Sequence, residues 1–348
     1  MTTPITAQPS TQPNNSAPAD PVEVLRCKTT ADFLAAFPRL VGFTAPHSVF
    51  IVFFNGNRTD GTLRVDLPPS ESAAEISMYV DSLCKLTQDM RTRYGWESPA
   101  VVISSALTFS DARGIPWRKL ARSLERRLAR SGNRARELCC IAPDGWASYL
   151  DPDTPPLGRP LSEISASHVA SESHVPNLTE FSDFSAPSSA AEDVAAALAD
   201  PQAMGTPPTA AALIAELCSP GERDSNVDTA TSIGVIRTAT TYYGWVGLFD
   251  ALAQIAVRRI DAKVTGDDTA ARAAHGELQR ASERLVHIVA DTPPEMQPAV
   301  IALCAMAWSL RGMQSVAHTQ ISQALRLDPH HEIALTAERL IASEPQYV

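Results

Sequence analysis

The chain has 348 residues, of which 44% are hydrophobic, so it can form substantial cores and exceeds the usual size of one compact domain. The 29 Lys and Arg residues against 39 Asp and Glu residues give a formal net charge of -10, which argues against a nucleic-acid coat protein or a protein of anionic membrane surfaces. The six cysteines have no C-x-x-C spacing and no apolar segment is long enough to span a bilayer, so we predict a cytoplasmic protein with reduced thiols.

The first third of the chain predicts a tail, a helix and a hairpin. Residues 1–21 have neither a basic start nor an apolar core, which excludes a signal peptide and predicts a disordered tail. The stretch VEVLRC from Val22 predicts a strand, and TTADFLAAF predicts a short helix that Thr30 opens and that ends near Pro38. The apolar run SVFIVFF predicts a strand covered on both faces, and NGNRTDG with the alternating TLRVDL predicts its hairpin partner.

The next segment continues the alternation of helices and strands. Ser72 and Glu75 predict a capping box at the start of a helix that ends at Gly95, and PAVVISSA predicts a buried strand. DARGIPWRKLARSLERRLARSG predicts one helix with Trp117 on its inner face, and ELCCIAPDGWASYL predicts a terminal hairpin. This order predicts an α/β domain over residues 22–165, with a mixed, partly parallel sheet flanked by helices.

After Leu150 the composition changes. DPDTPPLGRPLSEIS predicts a surface linker, and residues 166–186 predict a flexible crossing. Strand patterns then disappear, which predicts an all-α domain over residues 187–343. Helix breaks are predicted near Pro201, Pro207, Gly221, Gly244, Gly266, Pro293, Gly312 and Pro329. Because AMAWSLRGMQSVAHTQISQALRLDP is similar to a tetratricopeptide unit, we predict a tetratricopeptide-like domain, with an ordinary helical bundle as the alternative.

Three stretches carry a family resemblance: LVGFTAPHSVFIVFF followed by LRVDLP, then ELCCIAPDGWASYL, and finally AMAWSLRGMQSVAHTQISQALRLDP. In these the chain resembles an actinobacterial protein family known as domain of unknown function 4192, over about residues 22–343. The resemblance implies this two-part architecture and a bacterial cytosolic setting. It implies no catalytic residue.

Candidate chemistry lies at the predicted strand ends. The sequence contains neither phosphate-binding glycine motif, nor H-E-x-x-H, nor G-x-S-x-G. If the sheet is partly parallel, a ligand crevice at the strand ends would include Asp66, Ser104 and Asp111, which could hold a metal or activate water. His47 is a further candidate base. The structural alternative is favoured: Asp66 stabilises a strand exit, Asp111 caps a helix and His47 occupies a turn.

The densest local charge is a basic run in and just after the predicted helix that contains Trp117. Nine of the 29 basic residues are Arg113, Arg118, Lys119, Arg122, Arg126, Arg127, Arg130, Arg134 and Arg136. Arg118, Arg122 and Arg126 lie four residues apart, so they share one helical face that could bind phosphates or an acidic partner. The favoured alternative is a solvated face, and within it docking against the acidic helical half of the same chain.

We therefore predict a cytoplasmic binding or scaffolding protein without a catalytic motif, whose helical domain binds a protein partner. Two other functions stay open: a small-molecule or nucleotide-handling hydrolase with its site at the strand ends, and weak nucleic-acid contact through the arginine-rich helix. The sequence identifies no cofactor and no metal site. It allows a small-molecule ligand, and we expect neither membrane association nor specific nucleic-acid binding.

Overall fold

The computed structural model describes residues 25–185, 190–199, 208–220 and 227–343. The predicted tail over residues 1–21 and the start of the predicted strand VEVLRC lie outside this part. Residues 25–28, the described end of that stretch, form no strand, so this prediction is wrong there. The first half consists of α1 (Thr30–Val41), β1 (Ser48–Asn55), β2 (Arg58–Asp66), α2 (Ala73–Tyr94), β3 (Glu97–Ser104), α3 (Phe109–Ala112), α4 (Arg118–Arg130), β4 (Glu137–Ala142), β5 (Gly145–Ser148) and α5 (Ser162–Ser165). The second half consists of a 3-10 helix (Leu178–Ser182), α6 (Ala191–Ala199), α7 (Ala210–Cys218), α8 (Thr229–Ala239), α9 (Tyr242–Thr265), α10 (Asp268–Asp291), α11 (Gln297–Arg311), α12 (Gln314–Leu327) and α13 (Glu332–Ser343).

The five strands form one mixed sheet in the order β2-β1-β3-β4-β5. β3 and β4 pair in parallel, and the other neighbours pair antiparallel. This confirms the predicted fold class of a partly parallel sheet with helices, followed by a run of helices. β2 lies at one edge, and its register against β1 shifts because Phe53 pairs with Gly61 while Phe54 pairs with Thr59. Asp60 is thus an extra residue on the edge strand, as in a β-bulge.

Helix α1 differs from its prediction at both ends. Thr29, not Thr30, is the N-cap, and it forms a capping box with Asp32. The helix continues through Pro38 and ends only where Gly42 adopts a left-handed φ of 86° and donates its N–H to the carbonyl of Pro38. Proline lacks only its own N–H, so a helix can pass it near its last turn, and glycine supplies the sharper stop.

The single helix predicted around Trp117 is two helices, α3 and α4. Between them the backbone turns at Arg113 and Trp117, whose φ angles are 53° and 55°. The carboxylate of Asp144 in the β4–β5 turn accepts the N–H groups of Phe109 and Ser110 at 2.9 and 3.2 Å. This contact from a distant hairpin adds to the local N-cap of α3, Thr108, whose hydroxyl accepts the N–H of Asp111.

One face of the sheet is covered by α2 and α4. Because strand side chains alternate, one set of residues from β1, β2, β3 and β4 packs beneath the apolar stripes of these two helices. The buried members are Val49, Ile51, Phe53, Leu63, Leu67, Ile76, Val80, Leu83, Met90, Trp96, Val101, Ile103, Leu120, Ala121, Leu124, Leu128 and Leu138. We call this the closed face, since its cluster ends at these two helices.

The other face is covered by α1 and joins the core of the helical half. Phe50 of β1 lies 5.0 Å from Phe37 and 5.9 Å from Phe43, measured between ring centroids. Phe43 contacts Phe181 at 6.5 Å, and Phe181 contacts Trp308 of α11 at 5.0 Å. We call this the shared face, because its buried residues belong to one hydrophobic cluster with those of α7–α13.

The helical half is built around α11, whose residues 298–309 are all buried. Left-handed glycines end α9 at Gly266 and α11 at Gly312, and breaks also occur at Pro293 and Pro329, as predicted. The break predicted near Gly244 falls at Thr240 and Thr241, between α8 and α9, and Gly244 itself lies in the first turn of α9, where a Cβ would stand 2.2 Å from the carbonyl oxygen of Thr238. The breaks predicted at Pro201, Pro207 and Gly221 lie outside the described residues. Among the described helices, none is long and apolar enough to span a membrane.

The crossing predicted over residues 166–186 contacts both halves in its described part. Ser167 donates to the carboxylate of Asp32 at 2.6 Å, and the carbonyl of Phe181 accepts from Gln320 of α12 at 2.8 Å. A backbone bridge also joins Thr44 to Asn177. The domain boundaries stay predictions, but these contacts give the crossing a defined place between the sheet and the helices.

Candidate ligand-binding cleft

A cleft of about 690 Å³ separates the edge strand β2 from the helices α10, α11 and α12. Residues 59–66 form one wall, and residues 311–315 with His275, His318, Thr319 and Ser322 form much of the other. Neighbouring strand residues point to opposite faces, so a cleft that touches eight consecutive residues reaches the backbone edge of the strand rather than one face. Within the described residues β2 pairs only with β1, which leaves the N–H and C=O groups of its second edge facing this cleft.

The predicted site residue Asp66 lies in the cleft wall and is held by Arg64. Asp66, Ser48 and Ser104 are aligned across β2, β1 and β3, so their side chains share one face of the sheet. Arg64 donates from Nε to the buried hydroxyl of Ser48 at 3.0 Å and pairs through Nη2 with the carboxylate of Asp66. Ser104 does not line the cleft. The charge of Asp66 is thus balanced by its neighbour on the same strand.

Asp111 and His47 are placed elsewhere. The carboxylate of Asp111 accepts the hydroxyl of Thr108 at 2.6 Å, and its N–H donates back to that hydroxyl at 2.9 Å, as in a helix cap of α3. His47 precedes β1 in a turn with a φ of 57°, and its ring lies edge-on to Trp117 at 5.8 Å. Neither residue lines the cleft. In the part of the chain that the structure describes, no group of three His, Cys, Asp or Glu residues could hold a metal ion.

The arginine-rich face of α4 points to solvent on the closed side of the sheet. Arg118, Arg122 and Arg126 are exposed, and the Nε of Arg126 donates to the carbonyl of Arg122 in its own helix. Arg127 pairs with Asp81 of α2. Docking of this face against the helical half is therefore wrong, because the sheet lies between α4 and that half. Binding of an anion or partner there stays a prediction.

A second set of basic residues, which the sequence analysis missed, lies at the helical end of the cleft. Arg311 is 15% exposed in its side chain, and its guanidinium lies 4.7 Å from the ring centroid of Trp308. Its Nη1 is 3.8 Å from the nearest carboxylate oxygen, that of Glu283. Arg259 is 4% exposed and donates from Nη1 to the carbonyl of Arg311 at 3.1 Å. Within the described residues its Nε has no hydrogen-bond partner.

The pKa of His275 is lowered by its surroundings in this region. Burial, together with the smaller effects of the positive charges of Arg311, Arg259 and Lys263, lowers the pKa of His275 to about 4. Burial also lowers the pKa of Arg259 and of Arg311. The imidazole is therefore neutral at pH 7, and it stands in a local positive potential. These residues belong to three different helices, so no spacing in the sequence could have indicated that they meet.

The first turn of α12 faces the same end of the cleft. Gly312, with a φ of 96°, turns the chain from α11 into α12, and the N-cap Met313 supplies no side-chain acceptor. Gln314 and Ser315, the first two residues of the helix, line the cleft. Helix N-termini carry unpaired N–H groups and a partial positive charge. A smaller cleft of about 420 Å³ adjoins this place and shares Arg311 and Met313.

The fold and the cleft thus define a protein with a mixed α/β sheet and an all-helical half that share one core, with an open strand edge between them. A family model described as "Domain of unknown function (DUF4192)" matches residues 31–342, and the chain belongs to this family. Neither a curated protein nor a solved structure matches the chain.

Proposed function

We propose that the protein is a non-catalytic binding module that takes up an extended peptide segment of a protein partner in the cleft, as an added strand on β2. The observation that carries this proposal is the contact of the cleft with every residue from 59 to 66 of an edge strand. Edge strands bind extended peptides through main-chain hydrogen bonds, and side chains of alternate residues then enter flanking pockets. Here the helices α11 and α12 supply the opposite wall for such side chains.

The dimensions of the cleft suit a short segment. Residues 59–66 span about 25 Å of strand at roughly 3.4 Å per residue, which is enough to pair with a peptide of about six to eight residues. The volume of about 690 Å³ lies within the usual range of about 300 to 1,000 Å³ for ligand sites. The proposed partner site thus combines the sheet with the helical half, whereas the sequence analysis placed it in the helices alone.

The surroundings of Asp66, Asp111 and Ser104 do not support hydrolysis. A nucleophile or water must lie within hydrogen-bond reach of a base, and the base needs an orienting partner. Asp66 is paired with Arg64, Asp111 is engaged by Thr108, and Ser104 lies outside the cleft. These contacts favour structural roles, so we keep binding as the proposed function.

We further propose a cytoplasmic location, an actinobacterial source and a tetratricopeptide-like character for the helix pair α11–α12. The six cysteines are free, which suits a reducing compartment. The helix pair has its turn at Gly312 and ends before Pro329, which is the pattern that the repeat resemblance requires.

The proposal is tested with a phage-displayed library of random linear peptides, selected on the full chain and followed by synthesis of the enriched peptide. Ser322→Trp places a large side chain at an exposed position of the cleft wall, and Ser82→Trp makes the same change on exposed α2 as a matched control. We expect Ser322→Trp to weaken peptide binding at least tenfold and Ser82→Trp to leave it within twofold, as measured by isothermal titration calorimetry.

A scan with N-methylated peptides then tests the geometry. In an added strand, alternate peptide N–H groups donate to β2, so N-methylation should abolish binding at every second residue. Failure to enrich any peptide, equal binding by wild type and Ser322→Trp, or a scan without two-residue alternation would contradict strand addition.

A further inference from the structure

We infer that the cleft contains an oxyanion subsite at its helical end, formed by the guanidinium of Arg311 and the first turn of α12. Its ligand chemistry is a carboxylate or a phosphate group. Arg311 and Ser315 both line the cleft, and Arg311 lines the smaller adjoining cleft as well. A guanidinium presents a planar fork of donors that matches two oxygens of such a group.

The first argument is the charge balance around Arg311. A buried charge is costly unless it is paired, and the nearest carboxylate oxygen, on Glu283, is 3.8 Å away with that residue half exposed. Ser282 offers only a long contact of 3.5 Å from Nη1 to its hydroxyl oxygen. The ring of Trp308 covers one face of the guanidinium but accepts no hydrogen bond in its plane. The in-plane donors of Arg311 are therefore weakly engaged.

The second argument is the arrangement of helix ends. The carbonyl of Arg311, at the C-terminal end of α11, accepts a hydrogen bond from the buried side chain of Arg259. Arg259 therefore offsets the negative end of α11, while the positive end of α12 remains directed to the cleft. The Nε of Arg259 is itself buried without a partner in the described residues. The guanidinium groups of Arg259 and Arg311 therefore lie close together here, and the carboxylate of the half-exposed Glu283 stands 3.8 Å from Nη1 of Arg311.

The subsite rests on the proposed function only for the source of the oxyanion, which would be an acidic or phosphorylated side chain of the bound peptide. A peptide paired with β2 would pass close to α12, because residues 59–66 and Ser315 line the same cleft. Binding of free inorganic phosphate tests the subsite alone.

The experiment is an NMR titration of the full chain with inorganic phosphate at pH 7.5 and constant ionic strength, repeated with acetate. We expect the Nε–Hε signal of Arg311 and the amide signal of Ser315 to shift saturably, while the signals of Arg339 do not move. Arg311→Gln should weaken phosphate binding at least tenfold, and Arg339→Gln, at an exposed arginine of α13 whose Nε donates to a carbonyl of its own helix, should change it less than twofold.

Two further measurements keep the test decisive if Arg311→Gln does not fold. Arg311→Lys keeps the charge but not the fork, so intermediate weakening is expected, and the shifts of wild-type Arg311 require no variant. Equal shifts at Arg311 and Arg339, or unchanged binding by Arg311→Gln, would overturn the inference. If a selected peptide shows two-residue alternation but neither depends on Arg311 nor competes with phosphate, the subsite fails while strand addition stands. If phosphate binds at Arg311 and no peptide is selected, the subsite stands while strand addition fails.

Discussion

The two sides of the sheet carry arginine in opposite ways. Beyond the closed face, α4 presents Arg118, Arg122 and Arg126 to solvent. Beyond the shared face, Arg259 is buried and Arg311 is partly buried between helices. Exposed charges are screened by water, whereas buried ones act at short range in a medium of low polarity. The run of arginines that stands out in the sequence therefore produces a weak, screened potential. Arg259 and Arg311, which lie far apart in the sequence, produce the stronger positive potential at the helical end of the cleft.

The strongest test of this comparison asks whether the shared face joins the two halves into one unit. Phe50→Ala should lower the free energy of unfolding by about 3–5 kcal/mol, because Phe50 is fully buried among Phe37 and Phe43. Since the cluster continues into α11, the urea midpoint of labelling should fall for the buried thiol of Cys304 in α11 as well as for that of Cys139 in β4, both of which belong to this cluster. Thiol labelling along a urea series measures both.

Leu124→Ala on the closed face is the companion variant, with an expected loss of about 2–5 kcal/mol. Leu124 belongs to the cluster under α2 and α4 rather than to the shared core. An unchanged labelling midpoint for Cys304 in Phe50→Ala would show that the helical half unfolds independently of the sheet.

The next largest effect concerns Asp32, which ties α1 to the crossing on the shared side. The hydroxyl of Ser167 is the main cause that lowers the pKa of Asp32 to about 2, with help from the N–H groups of Lys28 and Thr29 and against the effect of burial. A folded-state pKa below the unfolded value of about 3.8 stabilises the fold above that pH, and the contribution is lost as the pH falls toward 2.

Asp32→Asn should therefore lower the free energy of unfolding by about 1–3 kcal/mol at pH 7 and flatten its decline between pH 4 and pH 2. Denaturant unfolding at a series of pH values measures this. Asp89→Asn, at an exposed position of α2, should keep the acid dependence of the wild type. If Asp32→Asn loses as much free energy of unfolding between pH 4 and pH 2 as the wild type does, Asp32 is not the source of this acid dependence.

The smallest effect belongs to the arginines of α4. Replacement of Arg118, Arg122 and Arg126 together by Gln should change the free energy of unfolding by less than about 1 kcal/mol, since exposed charges contribute little. The radius of gyration in small-angle X-ray scattering should stay the same, because these side chains do not touch the helical half. An expanded variant would restore the hypothesis of intramolecular docking.

The sequence predicted best what depends on neighbours along the chain. β1 and its hairpin follow from a two-residue alternation and turn residues, and the stop of α2 follows from Gly95 in a left-handed conformation. The end of α1 was missed because Gly42 rather than Pro38 decides it. The break between α3 and α4 was missed because the backbone turns at Arg113 and Trp117 with positive φ angles, which side chains of these types do not indicate.

The cleft could not be predicted because its walls are more than 200 residues apart in the sequence. Asp66 was correctly placed at a strand end, but its partner Arg64 lies on the same strand and neutralises it. The basic residues at the other wall come from α9, α10 and α11, and only the packing of these helices brings them together. The spacing of apolar residues predicts which face of a helix is buried, but it does not predict which charged residues of other helices lie beside that face.

The irregular edge of β2 also bears on how the protein avoids self-association. A flat open strand can pair with the same strand of another molecule and start aggregation. Here the bulge at Asp60 breaks the regular spacing, and charged side chains recur at Arg58, Asp60, Arg64 and Asp66. The wall of α12 stands across the cleft from this edge. Concentrated solutions of the protein should therefore stay free of edge-to-edge fibrils even though the strand remains open to a single chain.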